Sequence, residues 1–379
     1  MRAAPETLPD RPPAGIYLHT PTPEALAAAS AALLTQLAQL GLQDAVDTAE
    51  HAAGRRFYLQ PALARQWAPG LDTLGLAGRL QLDTWNSEPD LARETLVAML
   101  LSPVAFEFPS HAELTSHLRM RRNIVLAARK TALAFHTTGL DRPQDCWAYS
   151  EDSGFTVRPG HSLAAALEKA TQPEASGKRY AFSCYRATEY VILLAVAQET
   201  AHCNPALLAS LQRHWERRAI VSGRFHEVFL REYGTMEEPL PPQYYVPGDR
   251  LWFRNPDAHS SDVSGYEGSW VFYLGGGLFN NFWKREQPFT LEAKCLELFH
   301  WRHAVYTDGA GELRIDEAVV EARVGASLDN PAEAAQILQQ MLRLREPKGV
   351  YQSGGCIDTS REYPRWVCPG TTDLVLPTV

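Results

Sequence analysis

The sequence lacks the features that mark several common classes of protein. No run of about 18 uninterrupted apolar residues occurs in the chain, so we expect no membrane-spanning helix. The N-terminal stretch MRAAPETLPDRPPAG contains no apolar core of signal-peptide length, and we therefore expect a cytoplasmic protein. The formal net charge is −8, which argues against nucleic acid as a partner.

Cysteine is also scarce, and its six copies are scattered without a CxxC pair. A zinc site or a disulfide framework is therefore not expected. The histidines show no ligand spacing with a second histidine or an acid, so we predict no metal ion. The glycine triplet at 275–277 is not followed by a helix with Lys-Ser/Thr, so it predicts a turn, and we expect no cofactor.

Apolar residues make up 45% of the 379 residues, which is ample for a buried core. Helical patterns occupy the first half, and aromatic-rich strand patterns follow at 246–290, an order that predicts an α+β protein. We divide the chain into a partly helical N-terminal extension (1–92), a core (93–300) and a C-terminal extension with a hairpin, a helix and a loop-rich tail (301–379). The Pro-rich residues 1–15 are expected to be disordered.

One cysteine lies where a helix is predicted to begin. Residues 180–194 read YAFSCYRATEYVILL, and Cys184 stands between a short apolar run and the helical pattern. Unpaired N–H groups at a helix N-terminus favour negative charge and lower the pKa of a thiol, which makes it a better nucleophile. The residues alone leave open whether Cys184 is such a nucleophile or a buried structural thiol.

Several segments, taken in their order, resemble a known family. They are LLSPVAFEFPSHAELTSHLRMRRNIVLAARK (100–130), GFTVRPGHSLAAALEKA (154–170), the Cys184 segment and VPGDRLWFRNPD (246–257). Together they resemble the bacterial spore-coat type of transglutaminase, a calcium-independent protein-glutamine γ-glutamyltransferase, over about 95–285. The resemblance implies a papain-like, NlpC/P60-type core, in which a cysteine-bearing helix packs on an antiparallel sheet.

The resemblance also implies a reaction and its partners. Cys184 would attack a glutamine carboxamide of a protein or peptide and form a thioester, which a lysine or another amine resolves to an isopeptide crosslink. Water in place of the amine would give deamidation. Two alternatives remain open at this stage: a catalytically inactive relative kept as a scaffold or binding protein, and a cysteine amidase or peptidase.

The sequence departs from the family at the residues that assist the cysteine. The family's glutamate position falls on Ser269, its histidine position on Phe282, and the acid that precedes its cysteine is replaced by Ser183. The resemblance therefore carries over the nucleophile and leaves its two partners unassigned.

Two residues are candidates for the missing partner. Glu267 stands two positions before Ser269, which predicts the same face of a strand. His303 precedes a predicted hairpin and is followed by Asp316, so that Cys184, His303 and Asp316 occur in the order of papain-like enzymes. We predict that Cys184 works with Glu267 or His303.

Overall fold

The fold is taken from a computed structural model that describes residues 13–51, 54–135, 141–346 and 354–378. Most of the predicted disordered stretch, residues 1–12, lies outside the described residues. The helices are α1 (Pro23–Gln39), α2 (Pro61–Trp67), α3 (Leu76–Leu80), α4 (Glu88–Leu100), α5 (His111–Lys130), α6 (Leu163–Thr171), α7 (Pro173–Ser176), α8 (Cys184–Cys203), α9 (Pro205–Arg217), α10 (Ser222–Phe229), α11 (Ala258–Ser261), α12 (Leu291–His300), α13 (Glu317–Leu328) and α14 (Pro331–Met341).

The strands are short, and most of them pair antiparallel. They are β1 (Ile16–His19), β2 (Val46–His51), β3 (Gly54–Leu59), β4 (Phe106–Phe108), β5 (Ala134–Phe135), β6 (Trp147–Ser150), β7 (Gly154–Val157), β8 (Ala181–Phe182), β9 (Leu230–Tyr233), β10 (Arg250–Arg254), β11 (Gly268–Gly275), β12 (Leu278–Phe279), β13 (Phe289–Thr290), β14 (Val305–Thr307), β15 (Leu313–Ile315) and β16 (Arg361–Pro364). Helices and sheets thus share the chain, and the predicted α+β class is confirmed.

Helix α8 lies at the centre of the largest core. Its residues from Ala187 to Ala197 are buried on every side, and a helix that is apolar all round belongs in an interior. Helices α5, α6 and α9 pack against it, as does strand β11. Because α8 contacts β11, the start of the helix is brought to the start of that strand.

A six-stranded sheet with the order β13-β12-β11-β10-β16-β9 forms the other side of this core. Its neighbouring strands are antiparallel where their register is defined, and Trp252 on β10 stands opposite Trp270 on β11. The turn after β11 is made by Gly275, Gly276 and Gly277, all with positive φ, which confirms the predicted turn. Strand β16 enters this sheet between β10 and β9 although it comes from the far end of the sequence.

The N-terminal residues build a second sheet with the order β2-β3-β1-β4. Strand β1 pairs parallel to β4, and helix α1 packs beside them. Helix α1 begins at Pro23, where the side chain of Thr22 caps it by accepting a hydrogen bond from the backbone of Ala25.

Helices α12, α13 and α14 pack together on the outer side of the six-stranded sheet. The predicted hairpin after residue 303 is present as β14 and β15. The division of the chain at residues 92 and 300 stays a prediction, and β16 belongs to the sheet of the predicted core. In the part of the chain that the structure describes, no helix combines the length and the hydropathy needed to cross a bilayer.

Candidate active site

Cys184 is the first residue of α8, as the sequence predicts. The side chain of Ser183 caps the helix by accepting a hydrogen bond from the backbone N–H of Arg186 at 3.3 Å. Short strand β8 leads into this cap and fixes the direction from which the chain enters the helix. Cys184 is only partly buried, so its sulfur is held at a helix N-terminus that is open on one side.

Opposing effects act on the pKa of the Cys184 thiol. Burial raises the pKa of the thiol, because the charged thiolate is less well solvated there than in water. The backbone N–H groups of Trp270 and Tyr185 lower the same pKa, as do the positive charges of Lys294 and Arg250. Burial is the largest of these effects, so the pKa of the thiol lies above its ordinary value, and the facing N–H groups and positive charges offset part of that rise for the thiolate, which is the reactive form of cysteine.

Two cavities meet at Cys184. The smaller has a volume of about 400 Å³ and the larger about 520 Å³. Both are lined by Cys184 and by Gly268, the first residue of β11. A Cβ atom at Gly268 would lie 2.2 Å from the indole nitrogen of Trp252, so a larger residue there would push into the cleft wall. Cys184 and the start of β11 therefore lie where the two cavities adjoin.

Aromatic side chains build the wall of the smaller cavity, and Arg250 holds them. Its guanidinium carbon lies 4.6 Å from the ring centre of Tyr185 and 4.0 Å from that of Trp270. The same guanidinium donates to Thr188 Oγ1 at 2.8 Å and to Glu362 Oε2 at 2.5 Å. Because Arg250 is buried and bonded on both sides, the wall beside Cys184 is rigid.

Glu267 lies at the rim of the smaller cavity. It directly precedes β11, is exposed to solvent and accepts a hydrogen bond from the backbone of Gly265 at 3.3 Å. The structure therefore brings Cys184 and Glu267 to one cavity.

His303 has different surroundings. It ends a 3₁₀ turn that follows α12, and its ring centre lies 5.8 Å from that of Phe299 and 5.6 Å from that of His300. Burial lowers the pKa of His303, and the nearby arginines lower it further. Among the described residues that line the two cavities at Cys184, His303 is not found. Asp316 caps α13 through the backbone N–H groups of the helix instead of bonding to His303.

The positions that correspond to the family's glutamate and histidine hold groups unsuited to proton transfer. Ser269 is buried in β11 and lines the larger cavity. Phe282 is buried in the core, where its ring meets that of Phe272 edge to face at 6.4 Å. A phenyl ring neither accepts nor donates a proton, so any partner for the thiol must come from another residue.

Sequence reasoning missed Lys294, which lines the larger cavity together with Cys184. Its side chain is buried, and its ammonium donates to Glu297 Oε2 at 2.9 Å. A signal was present in the sequence: Lys294 falls between Leu291 and Leu298 at helical spacing, which places a lysine on the apolar face of α12. Lysine is almost never fully buried unless its charge is paired, so a lysine at a buried helical position indicates a charged partner nearby.

The two cavities contain no evident metal centre. Throughout the described ranges, no three His, Cys, Asp or Glu side chains lie close enough together to hold a metal ion. The chemistry available at the site is therefore that of a thiol at a helix N-terminus, a carboxylate at the rim and a buried ammonium.

Comparisons with known proteins relate this chain to a family. A sequence model of the protein-glutamine gamma-glutamyltransferase family matches residues 77–374. The protein-glutamine gamma-glutamyltransferase of Bacillus subtilis (strain 168) is 28% identical over 205 residues, which are 51% of this chain and 74% of that protein. A solved structure, a transglutaminase from Geobacillus stearothermophilus without its C-terminal extension, covers 57% of this chain and 98% of its own at 19% identity and a TM-score of 0.39.

The family match runs from α3 past the last strand, so it contains the cysteine-bearing helix, both cavity walls and all six strands of the larger sheet. The predicted resemblance is confirmed, since the chain belongs to the protein-glutamine gamma-glutamyltransferase family.

Proposed function

We propose that this chain transfers the γ-glutamyl group of protein-bound glutamine, with Cys184 as the nucleophile. The observation that carries the proposal is the position of Cys184 at the first turn of α8, open to two cavities and facing backbone N–H groups. Membership of the family supports the reaction class. The helix N-terminus and the facing N–H groups favour the thiolate that the attack requires.

The proposed first half-reaction forms a thioester and releases ammonia. The thiol proton passes to the carboxylate of Glu267, and the sulfur attacks the carboxamide carbon of glutamine. The tetrahedral intermediate collapses when the nitrogen takes the proton back from Glu267 and leaves as ammonia. Glu267 is the partner we propose because it lines a cavity with Cys184, whereas His303 packs on Phe299 and His300.

The proposed second half-reaction regenerates the thiol. A neutral amine attacks the thioester carbon and gives up a proton to Glu267, and the sulfur leaves as thiolate, which is then reprotonated. A lysine amine on a second protein yields an isopeptide crosslink, and water yields glutamate. These substrates are proposed from the family's chemistry.

Replacement of the nucleophile tests the proposal. We expect Cys184→Ala to reduce incorporation of a fluorescent amine into a glutamine-bearing protein to the background rate, while the free energy of unfolding changes by about 1 kcal/mol or less. The reason is that the variant loses the sulfur that we propose to carry the thioester, although little volume is removed.

The chain offers a matched control at the other end of the same helix. Cys203 is the last residue of α8 and is also partly buried, so Cys203→Ala removes an identical group far from the cavities. Amine incorporation by Cys203→Ala should match the wild type. Undiminished incorporation by Cys184→Ala would place the chemistry at another residue and refute the proposal.

A further inference from the structure

The larger cavity has a mostly aromatic and aliphatic wall, yet an ammonium group faces it. Tyr266, Trp283, Phe289 and Trp301 contribute rings to this wall, and Lys294 is 3% exposed among them. A charged group in such surroundings costs free energy unless it is paired. The buried position of Lys294 therefore needs an explanation that an exposed lysine would not.

The contacts of Lys294 hold its ammonium in place and offset only part of its positive charge. It donates to Glu297 Oε2 at 2.9 Å, one helical turn further along α12, and it lies 4.0 Å from the ring centre of Phe289. Glu297 retains 18% of its side-chain exposure, so its carboxylate is shared with solvent. The ammonium remains available to the cavity that it lines.

Cys184 lines the same cavity and responds to this charge. Burial raises the pKa of the thiol, and the positive charges of Lys294 and Arg250 act against that rise. Arg250 is already bonded to Glu362, which offsets its charge. The other charged side chains that line the larger cavity are Lys284, Glu297, Glu317 and Glu321.

We propose that Lys294 is a positioning residue that stabilises the thiolate form of Cys184 during the reaction, in a site where the position predicted for the family's histidine holds Phe282. The lysine neither gives nor takes a proton: its fixed positive charge stabilises the sulfur anion after the thiol proton has passed to Glu267. Glu297 orients the ammonium. This inference rests on the proposed role of Cys184 as nucleophile.

The test measures alkylation of Cys184 by iodoacetamide as a function of pH, with the modified peptide quantified by mass spectrometry. In Lys294→Met, the pH of half-maximal alkylation should move upward by about 1 to 3 units, because a positive charge that lines the same cavity as the sulfur has been removed. Lys294→Arg keeps a positive charge and should restore most of the wild-type profile. Both variants are checked for folding by circular dichroism.

A control lysine with the same kinds of partner lies on the surface. Lys178 donates to Asp141 at 2.9 Å and lies 4.8 Å from the ring centre of Tyr180. Lys178→Met should leave the alkylation profile of Cys184 unchanged. A folded Lys294→Met variant with the wild-type profile would overturn the inference.

Glu297→Gln provides a second arm in case Lys294→Met does not fold. Because the carboxylate that offsets Lys294 is removed, the alkylation profile should move to lower pH, and an unchanged or higher midpoint would overturn the inference.

The outcomes also separate the two proposals. If wild-type Cys184 is alkylated no faster than Cys203, the assignment of Cys184 as the nucleophile fails. If Cys184 is reactive but its alkylation profile does not change in the variants at positions 294 and 297, only the role of Lys294 is refuted.

Discussion

Glu267 and His303 differ in where the fold puts them relative to Cys184. Glu267 stands at the rim of the smaller cavity that Cys184 lines, whereas His303 packs beside Phe299 at the end of α12. We expect Glu267→Gln to lower the rate of amine incorporation by about 10² to 10⁴-fold, the usual contribution of general acid–base catalysis. His303→Gln should stay within about twofold of the wild type.

Steady-state amine incorporation at saturating acceptor measures both variants, with the alkylation rate of Cys184 as an independent readout of the thiol. A large loss in His303→Gln together with normal activity in Glu267→Gln would reverse the assignment. The comparison is balanced, since each change removes one titratable group and keeps a side chain of similar size.

At single positions, the sequence predicted the place of Cys184 at a helix start better than it predicted the surroundings of that residue. Cys184 could be placed at a helix start because its signals are local: a serine cap before it and an apolar helical run after it. The spacing of Lys294 between Leu291 and Leu298 indicates a buried position, but the cavity that Lys294 shares with Cys184 depends on how α12, α13 and the start of β11 pack, which no local pattern reports. Phe282 could be matched to the family's histidine, but its edge-to-face packing on Phe272 follows only from the folded sheet.

Among the elements, α8 depends on its N-terminal cap for the geometry of the site. We expect Ser183→Ala to lower the free energy of unfolding by about 1 kcal/mol, because a backbone N–H of the first turn loses its acceptor. The same change should slow alkylation of Cys184 at neutral pH, since the first turn then frays around the sulfur.

Helix α6 supplies the control for this prediction. Ser162 caps it in the same way, by accepting from the backbone N–H of Ala165 at 3.1 Å. Ser162→Ala should cost a similar amount in chemical denaturation but leave the reactivity of Cys184 as it is. Equal reactivity of Cys184 in both variants would show that the cap stabilises the helix without shaping the site.

Helices and hairpins with local signals could be predicted, whereas pairings between distant segments could not. Helix α1 follows from Thr22 and Pro23, and the β6–β7 hairpin follows from the alternation in residues 147–157. The N-terminal sheet requires Ile16 to pair with Phe106, about ninety positions away, and no period in the sequence encodes that contact. Strand β16 could not be predicted either, because its four residues, REYP, show little of the pattern that is typical of a strand.

For the molecule as a whole, Glu94 joins the N-terminal helices to the six-stranded sheet. This buried carboxylate on α4 accepts from the hydroxyl of Tyr273 at 2.8 Å and from the backbone of Gly276 at 2.9 Å. Burial raises the pKa of Glu94 to about 7, although the hydrogen bonds and Arg129 act against it. The folded state therefore binds a proton at Glu94 more tightly than the unfolded state does.

This difference predicts how the stability of the whole chain depends on pH. The contribution of protonated Glu94 is fully present below its ordinary pKa of 4.5 and is lost as the pH rises through about 7. At 1.36 kcal/mol per unit, the loss is roughly 3 kcal/mol between pH 5 and pH 8. Glu94→Gln does not titrate, so its stability relative to the wild type should be more favourable at pH 8 than at pH 5 by about that amount.

Chemical denaturation at the two pH values measures the difference, with Glu50→Gln as the control. Glu50 is 84% exposed and pairs only with Arg55 across the β2–β3 hairpin, so its replacement should shift stability equally at both pH values. A Glu94→Gln variant whose offset from the wild type is the same at pH 5 and pH 8 would contradict the prediction.

Because β16 lies between β10 and β9, the six-stranded sheet of the nascent chain cannot be completed until β16 has been synthesised. Strands β9 and β10 have left the ribosome long before residues 361–364, which separate them in the finished sheet, are made. At about 5 to 20 residues per second, the roughly hundred intervening residues take on the order of 5 to 20 s. For that interval both strands expose an unpaired edge, which invites pairing with other chains. Glu362 belongs to the same late segment, so Arg250 and the cleft wall beside Cys184 gain this partner only after residue 362 has been made. If Cys184 is the nucleophile that we propose, its cleft stays incompletely formed while the ribosome and neighbouring nascent chains are close by.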